Sequence, residues 1–352
     1  MTSDKSKKIL TKREIQGLVI SIILSLIFLY FAFTGIDINS LEENLKSASI
    51  FWIIIFIILN LAGHYVRVLR WKILLNPFKK ETKINNLFGS LMIGYGFNSI
   101  FPRLGEIIRP VTLGNLEGIS RTSVFGTIVV ERIIDLIFMG LAVIGSAYLV
   151  AGNIYISLPW LKPTVYLGIL FIVLAVIFLV ILIKYREKFY NSYLRFIKKV
   201  SPANEERFGK FFNKILDGFA TLTGFANYFS VGILSILIIF IYALTSYTGL
   251  FLFQMPESPH INFFTGWVIS GISSIGIMIP TPGGIGSYHT ITKATLVELY
   301  NFTPETSMTY AILTHGISYL THIFAAIIYI LMFRNKIALF KKNPLEILDE
   351  KG

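Results

Sequence analysis

The sequence predicts an all-α polytopic membrane protein with six transmembrane helices, two opposed re-entrant helical hairpins and an inverted-topology repeat. Three observations predict it. Apolar residues make up 54% of the 352 positions against 15% charged, and they lie in continuous runs of bilayer length. Basic residues gather on alternate connections. Two further apolar stretches are broken by proline and glycine at corresponding places in the two halves. The net charge is +12 and there is no cysteine. That excludes an acidic disordered chain, a disulfide scaffold and a cysteine-ligated zinc or iron–sulfur protein.

The six predicted spans are 17–33, 50–66, 122–150, 164–183, 229–253 and 306–333. A bilayer core needs about 20 apolar residues with a lower limit near 17, so the first two are short. The first run lies too deep and lacks the small-residue cleavage site of a signal peptide, and is read as retained. Lys and Arg near the span ends set orientation. The N-terminal tail, 67–83 (with Arg67 and Arg70), 184–214 and 334–351 hold 25 of the 32 basic residues. The opposite connections, 34–49, 151–163 and 254–262, hold only Lys46 and Lys162. Both termini are therefore expected in the cytoplasm of a cell (inner) membrane protein, with 1–352 forming a single membrane domain.

The connector 184–228 repeats Tyr193, Phe196, Ile197, Val200, then Phe208, Phe211, Phe212, Ile215 and Phe219 at helical spacing, with basic residues opposite. One or two amphipathic helices on the cytoplasmic leaflet are predicted, attracted to anionic headgroups. No nucleic-acid partner is needed to explain the charge, because the topology itself demands it.

The interrupted segments are 87–121 and 263–303. Proline removes a donor and glycine permits sharp turns, so neither is one unbroken helix. The span at 122–150 must start inside, as 87 does; hence 87–121 enters and returns. By the same logic 263–303 returns to the outside. Each half then reads span, span, hairpin, span, with 1–150 and 164–333 inverted relative to each other. Aligning Pro102 with Pro280 sets Gly105 opposite Gly283. Such paired breaks point to a transporter's midplane site, the competing reading being that the hairpins only pack the bundle.

Charges cluster at this depth: Arg103, Glu106 and Arg109 around the first break, and Glu131, Arg132 and Asp135 inside the next span. Buried charges in a membrane mark a pathway or a paired network. Glu131 and Asp135 share a face, and Arg132, about 100° away on a helix of 3.6 residues per turn, is expected to have a different partner. Arg103 or Arg109 is predicted to pair with Glu131 or Asp135. Arg109 precedes Pro110 and is expected to be extended or at a helix boundary. Guanidinium groups grip phosphate bidentately, and a helix starting after Gly286 would aim N–H groups at an anion. A buried salt-bridge network that merely fixes the hairpin is the alternative. His64, His289, His315 and His322 lie in apolar surroundings without a metal-ligand spacing. No nucleophile elbow, Walker loop or paired-His helix motif is present, so no catalytic residue, metal or cofactor is predicted. Ser99, Ser273, Ser274 and Ser287 are expected to satisfy broken-helix backbone.

The runs Pro102-Arg103-Leu104-Gly105-Glu106-Ile107-Ile108-Arg109, Glu131-Arg132-Ile133-Ile134-Asp135 and Pro282-Gly283-Gly284-Ile285-Gly286 resemble the flippase-like transmembrane family, that of the membrane region of lysylphosphatidylglycerol synthases. The resemblance implies lipid translocation, with substrate contacts at Arg103, Glu106, Arg109, Glu131, Arg132 and Asp135 and close approach along Pro282, Gly283, Gly284 and Gly286. The resemblance implies that many relatives carry Glu where this sequence has His289; if that position handles protons, its titration would move from the carboxylate range toward neutrality. The sequence ends about 20 residues after its last span, too short a stretch for the synthases' soluble aminoacyl-transferase domain. Lysyl-lipid synthesis is therefore not expected.

The expected substrate is an anionic phospholipid or a polyprenyl-phosphate-type lipid, moved by alternating access. Arg103 and Arg109 would bind phosphate, and Glu131 and Asp135 would orient them or exchange protons. Two other readings stay open: an intramembrane glycosyl or phosphoryl transferase on a lipid carrier, and a membrane scaffold for a soluble synthase. A homodimer is left open as well.

Overall fold

A computed structural model describes residues 12–150, 161–200, 224–254 and 261–334, with isolated positions 159, 209 and 336. Most of the second half of the predicted amphipathic connector (201–223), most of both tails and the segments 151–158 and 255–260 lie outside the described residues.

Among the described residues the chain is helical throughout: α1 (Lys12–Phe33), α2 (Ile38–Lys46), α3 (Ile50–Leu75), α4 (Ile84–Ile100), α5 (Gly105–Glu117), α6 (Arg121–Leu149), α7 (Leu161–Lys184), α8 (Arg186–Val200), α9 (Phe225–Gly249), α10 (Phe263–Met278), α11 (Ser287–Tyr300) and α12 (Pro304–Phe333). Helices α1, α3, α9 and α12 are long and apolar enough to cross a bilayer. Large apolar side chains such as Ile20, Leu26, Ile58, Ile236 and Leu331 stand exposed on them, as expected of a protein surrounded by lipid.

Local chemistry sets the helix ends. Asp37 accepts from the backbone N–H of Asn39 and Ser40 and starts α2, a helix inside the connection 34–49. Asn262 and Thr265 form a reciprocal capping box at α10. Pro304 occupies the first turn of α12, where its missing N–H costs nothing. Gly118 takes the left-handed conformation (φ 67°) that ends α5.

Paired contacts give the helix directions. Asn60 Nδ2 donates to Ser318 Oγ at 3.2 Å, and His64 Nε2 meets His322 Nε2 at 2.8 Å; α3 and α12 therefore run parallel. Arg67 reaches Tyr242 while Arg70 reaches Ser235, so α9 is antiparallel to α3. Gly89 faces Tyr329 and Phe333, and Gly96 faces Ala326, so α4 is antiparallel to α12. Helix α11 runs parallel to α1, with Thr290 Oγ1 bonded to the Phe28 carbonyl and Lys293 Nζ to the Ala32 carbonyl, 2.7 and 2.8 Å. Lipid tails are as apolar as leucine, so these helices gain nothing from hydrophobic burial against each other and rely on close packing and hydrogen bonds.

Two helix–turn–helix units, α4–α5 and α10–α11, carry the breaks. At the first, a Cβ on Gly105 would land on the Gly94 carbonyl, and Gly105 N donates to Asn98 Oδ1 at 2.7 Å. Only glycine lets the arms approach this closely. At the second, a 3-10 turn at Pro282–Gly284 leads through Gly286 (φ 85°) into α11. The tips meet half-way along α12: Tyr319 donates to the Ser99 carbonyl at 3.0 Å, His315 Nε2 to the Gly283 carbonyl at 2.8 Å, and Gly283 abuts Ser99.

Three expectations need correction. The second span does not stop at Val66; α3 continues to Leu75, placing Arg67 and Arg70 inside the helix and buried. They leave the tally of loop charges because carboxylates on α6 pair with them. Arg109 is not extended or terminal but lies within α5, with Pro110 beside it. Its ion pair to α6 and the packing of α4 on α5 outweigh the hydrogen bond that Pro110 cannot make. The pairing of Arg132 is corrected below.

Candidate functional site

Helix α6 supplies the carboxylates. Glu131 is fully buried and accepts from three arginines on three elements: Arg67 Nε (2.9 Å, α3), Arg109 Nη2 (2.6 Å, α5) and Arg132 Nη2 (2.9 Å, its own helix). Asp135, one turn on, takes Arg67 and Arg70. Arg67 also donates to Tyr95 and Tyr242 at 2.8 and 3.1 Å, and Arg70 to Ser235 at 3.0 Å. Arg109 lies over the Trp71 ring, 3.6 Å from its centroid. The indole is held by its bond to Thr127 at 3.0 Å. Such a cation–π contact suits a guanidinium buried away from water.

Arg132 was expected to have a partner of its own. It has one in Glu106, at 3.9 Å, but it also binds Glu131 and reaches Asp135 at 3.6 Å. A long flexible side chain covers the 100° that helix geometry places between them.

Four guanidinium groups thus face three carboxylates (Glu106, Glu131, Asp135), one positive charge in excess. The surplus sits where access is easiest. The side chains of Arg132 and Glu106 are 36% and 28% exposed, against 0–19% for Arg67, Arg70, Arg109, Glu131 and Asp135. Glu106 Oε2 and the Nε atoms of Arg109 and Arg132 are buried without a hydrogen-bond partner. They border a cleft of about 10 Å³ between α4, α5 and α6, also lined by Asn98 and Gly105. That holds about one water and no phosphate, so the cluster is closed.

The second tip borders a different space. Leu29 and Phe33 of α1, Ile285 and His289 of the tip, and Met308, Ile312, His315 and Tyr319 of α12 line an open cavity of about 420 Å³. Its wall is apolar apart from two imidazoles and a phenol. His315 donates through Nε2, because a carbonyl only accepts. His289 Nδ1 accepts from Gly286 N at 3.4 Å, and the two rings lie 4.8 Å apart. Ser287 Oγ bonds the carbonyls of Gly276 and Gly284, and Ser99 and Ser274 bond carbonyls of their own helices. Only Ser287 therefore serves broken backbone as expected; Ser99 and Ser274 bond back within intact helix, and Ser273 accepts from the Thr292 hydroxyl at 2.8 Å.

The structure therefore gathers Glu106, Arg109, Glu131, Arg132 and Asp135 into one cluster. It places Pro282, Gly283, Gly284, Gly286 and His289 at the other tip. Arg103 joins neither group: it is exposed at the first tip with φ 62° and enters none of the cluster's ion pairs. Arg67, Arg70, Tyr95 and Tyr242 were missed. A polar stripe of Asn60, His64, Arg67 and Trp71 at helical spacing along an apolar run was the signal available for Arg67.

A helical protein with lipid-facing surfaces, two broken helix pairs meeting tip to tip and a buried arginine–carboxylate cluster belongs to the class of polytopic membrane proteins with a polar interior site. Residues 18–326 match the family model described as lysylphosphatidylglycerol synthase TM region, and the chain belongs to that family. It is also similar to a UPF0104 membrane protein of Methanocaldococcus jannaschii, 28% identical over 159 residues, which are 43% of this chain and 47% of that protein. The match thus spans about half the length of that curated relative.

Proposed function

We propose that this protein moves an anionic phospholipid or polyprenyl-phosphate-type lipid between leaflets by alternating access. Helices α1, α3, α6, α7, α9 and α12 are the six spans; α4–α5 and α10–α11 are re-entrant from opposite faces. Both termini are cytoplasmic in a cell membrane. In support of an inverted repeat, packing recurs in matched pairs: α4 on α12 and α10 on α6, α5 on α6 and α11 on α12, with α3 against α9 between them. The basic amphipathic α8 would rest on anionic headgroups at the cytoplasmic leaflet.

One observation carries this reading: the tips abut half-way along α12, with the open cavity on one side and the closed arginine cluster on the other. In this arrangement the outer cavity admits a lipid while the inner site is shut. Parting the tips lets the headgroup phosphate reach Arg132 and Arg109, where it replaces Glu106 as the partner of Arg132. The pair at 3.9 Å is the longest ion pair of Arg132 and the easiest to exchange. Acyl or prenyl chains stay against the apolar walls. Arg103, exposed at the tip, meets the phosphate in passage.

The test is purified full-chain protein in sealed liposomes carrying head-labelled lipids, with a membrane-impermeant quencher outside. Anionic, zwitterionic and polyprenyl-phosphate lipids are compared, each with Arg103→Ala as control. Protein-dependent loss of the protected inner signal, absent in the variant, is the expected result. Complete protection for every lipid, with folded protein and an imposed ion gradient, would overturn translocation and leave the enzyme or scaffold reading.

A further inference from the structure

The imidazoles of His64 (α3) and His322 (α12) face each other Nε2 to Nε2 at 2.8 Å. In such a bond one ring donates and the other accepts, so the neutral pair carries two protons on four ring nitrogens. The donor ring's Nδ1 is then bare. His64 is 5% exposed, and its Nδ1 is buried with no partner in either tautomer. A structural histidine would normally have that atom satisfied. A third proton, taken from water, would add to the bare ring nitrogen, break no existing bond, and convert the Nε2–H···Nε2 contact into a charge-assisted one.

The surroundings decide when that proton is welcome. Tyr95 of α4 packs against both rings, with centroids 4.8 Å from His64 and 5.0 Å from His322, and its hydroxyl accepts from Arg67. Arg67 lies one turn from His64 and is tied to Glu131, Asp135 and Tyr242. On α12, Tyr319 and His315 lie one and two turns back and line the open cavity. The nearest charge cluster carries one surplus positive charge, so an added imidazolium is repelled while the cluster is empty. An arriving anionic headgroup cancels that surplus.

We infer that the His64–His322 pair is a proton-binding site linked to anion binding at the arginine cluster, so that one proton travels with each anionic lipid. The site deepens the translocation reading and rests on it, since it names the coupling ion. By linkage, anion binding favours proton uptake and protonation favours anion binding to the same degree. The pair also bridges the two proposed halves, so the proton is held where α3 and α12 must shift as the tips part.

The experiment is calorimetric binding of a short-chain phosphatidylglycerol to the purified full chain in micelles, in buffers of different ionisation enthalpy, between pH 8 and pH 5. A short-chain phosphatidylcholine is the zwitterionic control. Wild-type protein is expected to take up close to one proton per bound anionic lipid, with Kd tightening toward about tenfold per pH unit of acidification. The control lipid should draw none. His322→Gln and the double variant with His64→Gln keep a neutral side-chain hydrogen bond and should lose the uptake. Anionic lipid that binds the wild type without proton uptake at every pH overturns the coupling and leaves translocation standing, as does undiminished uptake in both variants. Absence of any anionic-lipid binding overturns the coupling together with the phosphate-contact reading. If the double variant fails to fold, the wild-type proton count and His322→Gln decide.

Discussion

Glu131→Gln puts the buried cluster to the strictest test. Glu131 Oε1 accepts from Arg67 and Arg132, both at 2.9 Å, and Oε2 accepts from Arg109 at 2.6 Å. An amide keeps one oxygen and turns the other into a donor. In the better orientation the oxygen stays with Arg67 and Arg132, and the new NH₂ points at Arg109. Losing that bond costs about 1.5–3 kcal/mol for a charged partner. Removing one member of a buried pair costs about 3–5 kcal/mol when the other charge is left uncompensated. Arg109 retains the Trp71 face, worth about 2 kcal/mol for a desolvated cation. That contact persists in the variant and so does not reduce the loss, but it keeps the guanidinium in place. About 3 kcal/mol is the expected destabilisation. The assay is reversible unfolding in mixed micelles, comparing Glu131→Gln with Glu106→Gln. Among the described residues the latter's ion pair is with the partly exposed Arg132 at 3.9 Å, and its loss should cost under about 1 kcal/mol. Equal stability of Glu131→Gln and wild type would refute the claim that the cluster's arginines depend on this carboxylate.

Other perturbations separate tip, cavity and cap. Arg103→Ala should leave the melting temperature unchanged, because its side chain makes none of the cluster's bonds, while abolishing lipid movement in the liposome assay; unchanged transport would remove Arg103 from the phosphate path. Gly105→Val should abolish folding, read as loss of a monodisperse peak on size-exclusion chromatography, because its Cβ meets the Gly94 backbone. Ile312→Trp, projecting into the 420 Å³ cavity, should slow transport several-fold with stability near wild type, measured by quenching rate. Asp37, at the start of α2, is held below its ordinary pKa of 3.8 by the Ser40 hydroxyl first and then by the Ser40 and Asn39 N–H groups. Its contribution is therefore present above 3.8 and lost as pH falls through the depressed value. Hydrogen exchange in α2 should rise in acid for the wild type, and already at neutral pH for Asp37→Ala.

Composition and periodicity carry far for this protein. Runs of 17 or more apolar residues demand a membrane, and Gly-Pro breaks at 101–105 and 279–286 fall where the helices stop. The helix after Gly286 was also legible, because the break sets it locally. That an arginine of the first break would meet a carboxylate of α6 was legible as well, but the choice of Arg109 over Arg103 and of Glu131 over Asp135 was not. The three motif runs identified the family, which the match over 18–326 bears out.

Tertiary structure decided the rest, for one physical reason: a charge beside an apolar run reads as a loop anchor or as a buried partner depending on what lies opposite. Arg67 and Arg70 follow the second run as anchoring residues would, yet Asp135 and Glu131, more than sixty residues away, hold them inside α3. Pro110 argues against helix at Arg109 until the α6 carboxylate is present to hold it there. His64 and His322, separated by 258 residues, carry no mutual signal in the chain and meet only because α3 and α12 run parallel. Helix boundaries and breaks are near-neighbour properties of the backbone, and one sequence displays them. Which buried charges and rings face one another is a property of helix packing, and only the folded chain sets it.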